Sequence, residues 1–294
     1  MSAKIGFIGL GAMGLPMAKN LISAGFQLAV TTSSAEKADR LQALGAFICE
    51  SPRDVAAAAE IIVTCVPDGK ALRTLITGEV GIAADGWSGG LLIDCSTIAP
   101  SDVLEIAEVL ADAGATIVDA PVSGGVKGAE SASLAIVCGG SDEDVERAMS
   151  VLKAMGKAIS HVGGPSAGQV VKACNQLMIS VTMMGVYEAM ALARGNGVDP
   201  AVMRDALSTG SARSGVLDAH ALRYLEGQLD GGFRMQLMVK DLGIAAALGD
   251  VTASFQPAGS LAFQLFKAAS ANGFAKLDSA ALGSFYDQMN GAVD

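Results

Sequence analysis

Residues 4–21, KIGFIGLGAMGLPMAKNL, contain the pattern that decides the fold of the first half of the chain. The apolar run at 4–8 predicts a strand, and the segment after Gly14 predicts a helix. Between them, Gly9, Gly11 and Gly14 have the spacing G-x-G-x-x-G. The first glycine permits a tight turn, the second lets the backbone approach a pyrophosphate, and the third lets the helix pack closely on the strand. With the free N–H groups of the helix start, the stretch predicts a dinucleotide-binding turn formed by Gly9, Leu10, Gly11, Ala12, Met13 and Gly14.

Apolar and helical segments continue to alternate as far as residue 163. After the first strand, we expect strands at 27–31, 46–49, 61–66, 91–96, 116–120, 134–140 and 158–162. This alternation predicts an α/β fold with a doubly wound, mostly parallel sheet covered by helices on both faces. Ligands of such sheets bind beyond the carboxyl ends of the strands. The predicted cofactor side therefore includes the strand-end residues Val66, Pro67, Ser96 and Thr97.

The end of the second strand bears on the choice of cofactor. A carboxylate often stands there to bind the ribose 2′-hydroxyl of NAD, but this chain has only hydroxyl side chains, at Thr31, Thr32, Ser33 and Ser34. Because no carboxylate repels a 2′-phosphate, and Lys37 and Arg40 can add positive charge, the sequence favours NADP over NAD. The alternative is that these hydroxyl groups only cap a helix that begins near Ala35.

Residues 164–294 are predicted to be helical, which gives two domains, 1–163 and 164–294. The longest helix is expected at 164–195, and further helices at 200–208, 214–226, 235–249, 257–271 and 279–291. Between residues 177 and 193 of the long helix, Glu188 is the only charged residue. A helix that is apolar all round is usually buried, so we expect other segments to cover it on every side.

Polar residues interrupt the first turns of this long helix. Lys172, Asn175 and Gln176 have i, i+3 and i+4 spacing, which places them on one face, and Gly168 is expected to leave open space above the lysine. Burial lowers the pKa of a lysine, which suits it to acid/base catalysis near neutral pH. The alternative is a lysine that snorkels from the helix end.

A second candidate for ligand binding follows the strand at 116–120. Ser123, Gly124 and Gly125 form a segment of small residues whose backbone N–H groups can point at an anion such as a carboxylate. An ordinary glycine turn is the alternative.

Composition narrows the class of protein. The net charge of −10 argues against a nucleic-acid partner. The mean hydropathy is +0.45, but Ser180, Thr182 and Glu188 interrupt the most apolar segment, so we expect no membrane span. We expect no signal peptide. The five cysteines are scattered, which indicates reduced thiols in a cytoplasmic protein, and with only two histidines no metal site is expected.

Five motifs follow one another along the chain: FIGLGAMGLPMAKNL at 7–21, IDCSTIAP at 93–100, DAPVSGG at 119–125, GQVVKACNQ at 168–176 and GGFRMQLMVKDL at 231–242. Together they resemble the β-hydroxyacid dehydrogenases, the group that includes 3-hydroxyisobutyrate dehydrogenase and 2-hydroxy-3-oxopropionate (tartronate semialdehyde) reductase. The resemblance covers nearly the whole chain. It implies a Rossmann-type domain, a long interdomain helix and a helical C-terminal domain that completes the site and a homodimer or homotetramer interface.

The resemblance also implies roles for individual residues. Lys172 matches the general acid/base, and Ser123, Gly124 and Gly125 match the segment that holds the substrate carboxylate. The residues that match those lining the place where cofactor and substrate meet are Thr97, Phe233, Lys240 and Asp241. Asn175 and Gln176 are expected to position the hydroxyl groups or the carboxylate of the substrate. Without the resemblance, Lys240 and Asp241 would be interpreted as a solvated ion pair. The Asn175–Gln176 pair looks more like the tartronate semialdehyde reductases, whereas AESASLA at 129–135 departs from the family's usual G-T-L.

The expected activity is hydride transfer between NADP(H) or NAD(H) and a short 3-hydroxy acid or semialdehyde acid, without a metal. Imine or other carbonyl reduction on the same scaffold is one alternative, although imine-reducing relatives commonly lack this lysine. A non-catalytic NADP-binding regulatory protein is the alternative from another class.

Overall fold

The computed structural model describes residues 4–291. The chain divides into two compact units, Met1–Lys172 and Ala173–Asp294. Within the described residues, the first unit contains nine strands: β1 Lys4–Ile8, β2 Gln27–Thr31, β3 Phe47–Ile48, β4 Ile61–Thr64, β5 Leu91–Asp94, β6 Thr116–Asp119, β7 Val122–Ser123, β8 Leu134–Gly139 and β9 Gly156–Gly163.

Seven helices connect these strands, and the eighth continues into the second unit. They are α1 Gly14–Ser23, α2 Ala35–Gln42, α3 Pro52–Ala58, α4 Gly69–Thr77, α5 Pro100–Asp112, α6 Gly125–Glu130, α7 Asp142–Met155 and α8 Ala167–Gly195. The sequence pattern did not predict β7 and α6, because each is too short to show a period.

The strands form one sheet in the order β3-β2-β1-β4-β5-β6-β8-β7, and β9 pairs with β8. β1 to β6 are parallel to one another, whereas β8 runs antiparallel to β6 and β7. The predicted doubly wound, mostly parallel sheet is confirmed. Its strand order reverses direction beside β1, which is where ligands bind in open α/β sheets.

Both faces of the sheet are buried. In β5, Leu91 and Ile93 pack into one apolar core and Leu92 into the other. Successive side chains of a strand point to opposite faces, so a strand covered on both sides has a continuous apolar run instead of an alternating one. The segment LLI at 91–93 shows this pattern directly.

The second unit is helical. It contains α9 Pro200–Leu207, a π-helical turn at Val216–His220, α10 Ala221–Leu225, α11 Met235–Thr252, α12 Pro257–Ala269 and α13 Leu282–Met289. The predicted helix at 214–226 is thus a π-turn followed by a short α-helix. Tyr187 of α8 and Phe266 of α12 are among the largest side chains in its apolar core.

The long helix α8 has 29 residues and differs from the expectation in two ways. It begins at Ala167, after Ser166 with φ of +76°. Its apolar residues are not covered on every side, because Met178 and Leu192 are 68 % and 70 % exposed. Only the face with Met183, Tyr187 and Met190 is buried in this chain. By length and composition α8 could cross a bilayer, but core helices of soluble proteins have the same properties.

Candidate active site

The glycine-rich turn between β1 and α1 places its three glycines in different steric surroundings. Gly9 has φ of +103°, and a Cβ there would lie 2.3 Å from the carbonyl oxygen of Cys65. A Cβ on Gly14 would lie 1.9 Å from the carbonyl oxygen of Gly9, whereas one on Gly11 would meet nothing within 4 Å. The turn is therefore closed on the protein side and open at Gly11, which fits a backbone that a pyrophosphate approaches.

A cleft of about 540 Å³ lies on one side of this turn. Its lining is rich in cationic groups, namely Lys19, Lys37 and Arg40, with Glu130 as the acidic member. Arg40 also pairs with Glu36 at 2.9 Å on the exposed face of α2. The positive charges of Lys37 and Lys19 therefore suit this cleft to a phosphate group. Sequence reasoning did not identify Lys19 or Glu130, because they lie on α1 and α6 and neither belongs to the G-x-G-x-x-G turn itself.

The hydroxyl residues after β2 make local hydrogen bonds. The Ser34 side chain caps α2 by accepting the N–H of Lys37 at 3.4 Å, and Thr32 Oγ1 accepts the N–H of Ser34 at 3.2 Å. Ser33 is exposed and Thr31 half-buried. The capping alternative thus holds for Ser34, and it leaves Lys37 at the first turn of the capped helix.

A second cleft of about 510 Å³ flanks the other side of the turn, and Gly9, Val66, Lys70 and Thr74 contribute to its lining. The N–H of Val66 donates to Ser96 Oγ at 2.9 Å, which joins the ends of β4 and β5. Ser96 Oγ in turn donates to Asp94 Oδ1 at 2.6 Å. The strand-end residues predicted from the sequence therefore lie together at one edge of the sheet, with Pro67 exposed and Thr97 half-buried.

The Ser123–Gly125 segment connects β7 to α6. Gly124 and Gly125 have φ of +133° and +61°, backbone conformations that residues other than glycine rarely adopt. Both glycines are exposed, and a Cβ on Gly125 would meet nothing within 4 Å. The backbone is therefore accessible to a ligand here.

Lys172 lies in the second turn of α8 and is only 8 % exposed. Its Nζ donates to the carbonyl oxygen of Val122 at 3.0 Å, which places the ammonium one residue from Ser123. This position does not agree with a lysine that snorkels into solvent. In the first unit the structure thus brings together the predicted catalytic lysine and the predicted carboxylate-binding segment.

The expected open space at Gly168 is wrong. A Cβ there would lie 2.7 Å from the carbonyl oxygen of Val137 and 2.8 Å from that of Asp119. Glycine at this position permits α8 to pack against the sheet. It does not leave open space above the lysine. The sequence could not reveal this, since the contacting backbone lies in β6 and β8.

Asp119 and Gln169 are two residues that sequence reasoning missed, although both belong to motifs quoted above. Asp119 is fully buried, and its carboxylate accepts the N–H groups of Ser166 at 2.7 Å and Gln169 at 2.8 Å. Burial raises the pKa of Asp119 to about 6, although the two backbone hydrogen bonds act in the opposite direction. The cap of α8 is therefore supplied from β6, and an acidic residue placed at the end of a buried strand was the available signal.

In the second unit, the predicted residues form a chain of polar contacts. Asn175 Nδ2 donates to Gln176 Oε1 at 2.8 Å, and Gln176 Nε2 donates to Asp241 Oδ2 at 2.7 Å. Lys240 Nζ lies 3.1 Å from Asp241 Oδ1. Asp241 is 1 % exposed, so the interpretation of a solvated Lys240–Asp241 pair is wrong. The carboxylate is compensated by an amide and an ammonium, as a buried charge requires.

The segment that contains Phe233 is fixed from the far end of the unit. The N–H of Phe233 donates to Asp278 Oδ2 at 2.9 Å, and a Cβ on Gly232 would lie 1.9 Å from that same oxygen. Asp278 is 1 % exposed and lies 3.4 Å from Arg223 Nε. A buried, paired carboxylate thus determines the path of the backbone on the approach to α11. Among residues 4–291, no group of three or more His, Cys, Asp or Glu side chains could hold a metal ion.

The glycine-rich turn at the switch point of a doubly wound sheet defines a dinucleotide-binding protein, and comparisons with known proteins agree. Residues 4–163 match the family model for the NAD binding domain of 6-phosphogluconate dehydrogenase. Residues 166–286 match the model for the NAD-binding domain of NADP-dependent 3-hydroxyisobutyrate dehydrogenase.

Known dehydrogenases and reductases are similar to this chain over nearly their full lengths. The chain is 38 % identical over 291 residues to 2-(hydroxymethyl)glutarate dehydrogenase of Eubacterium barkeri, covering 99 % of this chain and 97 % of the relative. It is also 38 % identical to 2-hydroxy-3-oxopropionate reductase of Escherichia coli, covering 95 % of both chains. A solved structure of Mycobacterium tuberculosis 3-hydroxyisobutyrate dehydrogenase with L-serine has a TM-score of 0.89 and 31 % identity, covering 97 % of this chain and 99 % of that one. The chain belongs to the β-hydroxyacid dehydrogenase family and is an NAD(P)-dependent enzyme.

Proposed function

We propose that this enzyme transfers hydride between NADP(H) and a short 3-hydroxy acid or semialdehyde acid, with Lys172 as general acid/base. The position of the Lys172 ammonium carries the proposal. It is buried and lies 3.0 Å from the carbonyl oxygen of Val122, directly before the half-buried Ser123 and the exposed Gly124 and Gly125. A substrate carboxylate held by that backbone would bring its carbonyl group within reach of the amine.

The bound nicotinamide supplies or accepts the hydride, and the residues of this chain supply the proton and the orientation. In reduction, Lys172 as ammonium donates a proton to the carbonyl oxygen; in oxidation, the neutral amine accepts it from the hydroxyl. Ser123, Gly124 and Gly125 hold the carboxylate. Such fixed orientation accounts for a large part of the rate in reactions between two bound groups.

The remaining predicted residues take part as binding groups in this proposal. The glycine-rich turn holds the pyrophosphate, and Asn175 and Gln176 contact the polar groups of the substrate. Asp241 holds Gln176 through its carboxylate. Residues that would contact cofactor or substrate where the two meet are Thr97, Phe233 and Lys240.

The proposed substrate class is supported by the relatives and by one pair of residues. The named relatives of this chain include 2-hydroxy-3-oxopropionate reductase and 3-hydroxyisobutyrate dehydrogenase, and the Asn175–Gln176 pair favours the former. The test is a panel of short semialdehyde acids and hydroxy acids, each assayed with NAD(H) and with NADP(H). Fastest turnover of tartronate semialdehyde with NADPH is expected. Turnover of cyclic imines alone would favour an imine reductase, and binding of NADPH without turnover would favour a regulatory protein.

Replacing Lys37 with alanine should change cofactor preference. Lys37 lines the cationic cleft beside the turn, and a hydrogen bond to a charged group contributes about 1.5–3 kcal/mol. We expect kcat/KM for NADPH to fall about 10- to 100-fold while that for NADH changes less than about twofold. Steady-state kinetics with both cofactors provides the measurement.

Lys70→Ala is the matched control, because Lys70 lines the cleft on the opposite side of the turn. Any loss there should affect NADPH and NADH alike. An equal fall for both cofactors in Lys37→Ala would contradict the assignment of the 2′-phosphate to the Lys37 side.

We also propose a cytoplasmic homodimer or homotetramer. The exposed Met178 and Leu192 on α8 would be covered by a second copy of the chain, since large exposed apolar patches mark interaction sites. Light scattering after size-exclusion chromatography measures the mass, and a monomer at micromolar concentration would contradict the assembly.

Cell fractionation tests the proposed cytoplasmic location. Recovery of the protein outside the cytoplasmic fraction would contradict that location.

A further inference from the structure

Gln169 is a buried amide with a specific pair of partners. Only 1 % of the residue's surface is exposed to solvent. Its Nε2 donates to the carbonyl oxygen of Ser96 at 2.9 Å, and its Oε1 accepts the N–H of Ile98 at 3.2 Å. The amide therefore bonds the backbone on both sides of Thr97. An apolar side chain of the same size could fill the space, but it would leave two buried backbone groups unpaired, which is destabilising.

The backbone of Gln169 is held as well. Its N–H donates to Asp119 Oδ2 at 2.8 Å, and the adjacent Gly168 packs against the carbonyl oxygens of Val137 and Asp119. The first turn of α8 is thus attached to β6 by its main chain and to the loop after β5 by the Gln169 side chain. These contacts all lie within the first unit.

Lys172 is three residues beyond Gln169 on the same helix, and residues at i and i+3 share a face. A rotation or shift of this helix start would move the lysine Nζ relative to both Thr97 and the Ser123–Gly125 segment. Gln169 is the residue whose side chain prevents such a shift on the Thr97 side. Its contacts do not require it to touch the substrate.

We propose that Gln169 is a positioning residue for Lys172, which fixes the helix turn that carries the lysine at a set distance from the loop that contains Thr97. The inference rests on the proposed role of Lys172 as general acid/base. If Gln169 acts by positioning the lysine, its contribution to the rate should be measurable only when the lysine amine is present.

A double-mutant cycle tests this coupling. Gln169→Met is made in the parent enzyme and in Lys172→Ala, and the rate of NADPH oxidation by tartronate semialdehyde is measured in single turnover at saturating concentrations of both. A displacement of about 1 Å in a reacting group can cost about 10²-fold, so we expect a fall of about 10- to 100-fold in the parent. In the Lys172→Ala background the same change should cost less than about twofold. Any change in NADPH affinity that arises from the Thr97 loop should be the same in both backgrounds, because it does not depend on the lysine amine.

Thr116→Val is the matched control. Thr116 Oγ1 donates a hydrogen bond to Asp144 Oδ1 at 2.7 Å at the start of β6, and neither residue contacts Ser96, Thr97 or Gln169 in these hydrogen bonds, so its loss should lower stability without acting through the lysine. Its effect on the rate should be equal in both backgrounds. Thermal unfolding followed by the single tryptophan, Trp87, checks that each variant folds. If Gln169→Met does not fold, Gln169→Glu keeps the size of the side chain and the acceptor for Ile98, and replaces it in the cycle.

Two results would overturn the inference alone: an unchanged rate in Gln169→Met, or an equal fall in both backgrounds while Lys172→Ala itself is strongly impaired. A third result is separate. If Lys172→Ala turns over at the parent rate, the role of the lysine is wrong, and the positioning role falls with it.

Discussion

Lys172→Ala should lower the turnover number by about 10²–10⁴-fold, the usual contribution of general acid/base catalysis. The amine of Lys172 is buried beside the Val122 carbonyl, so bulk water is poorly placed to replace it as proton donor. The affinity for NADPH should change less than about threefold, because the glycine-rich turn does not contact the lysine in the proposed site. Single-turnover kinetics and a fluorescence titration with NADPH measure the two quantities.

Two controls separate proton transfer from charge and from volume. Lys172→Met keeps the length of the side chain and should be as impaired as the alanine variant. Lys172→Arg keeps the positive charge, but a guanidinium does not release its proton at ordinary pH, so it should remain impaired as well. A small primary amine such as ethylamine should restore part of the rate to Lys172→Ala. Full turnover in any of these variants would remove the lysine from the mechanism.

Local sequence was sufficient to predict the parts of the structure that depend on local physics. The glycine-rich turn follows from the steric needs of Gly9 and Gly14, and the sheet follows from apolar runs such as LLI at 91–93. Lys172, Asn175 and Gln176 were placed on one helix by their spacing alone. Each of these features is decided within about one turn or one strand.

The features that sequence reasoning missed depend on contacts between distant residues. Asp241 is buried, and its carboxylate accepts a hydrogen bond from Gln176, which lies 65 positions away. Gly168 meets the carbonyl of Asp119 on another strand, 49 positions before it by residue number. The exposed Met178 and Leu192 could not be distinguished from core residues, since the hydropathy of a side chain alone does not show whether the folded chain buries it.

Gly14→Ala should be among the most destabilising single-methyl changes in the first unit. The added Cβ would lie 1.9 Å from the carbonyl oxygen of Gly9 and 3.0 Å from the ring of Phe7. Because the nearest atom is backbone, the strand and the helix must separate. Overpacking typically costs about 1–3 kcal/mol and occasionally more, and we expect a value of about 3 kcal/mol. For a unit of this size, that corresponds to a fall in Tm of about 6–12 °C.

Gly11→Ala is the matched change with the opposite profile. A Cβ at Gly11 would meet nothing within 4 Å, and an exposed substitution of this kind usually alters stability by less than about 0.5 kcal/mol. If the pyrophosphate approaches the backbone at Gly11, the methyl group intrudes on it, and the Kd for NADPH should rise about tenfold or more, equivalent to about 1.4 kcal/mol. Calorimetry of the unliganded variants and titration with NADPH therefore give two independent readouts. Loss of stability in Gly11→Ala, or tight NADPH binding by it, would contradict the separation of structural and ligand-binding roles between these two glycines of one turn.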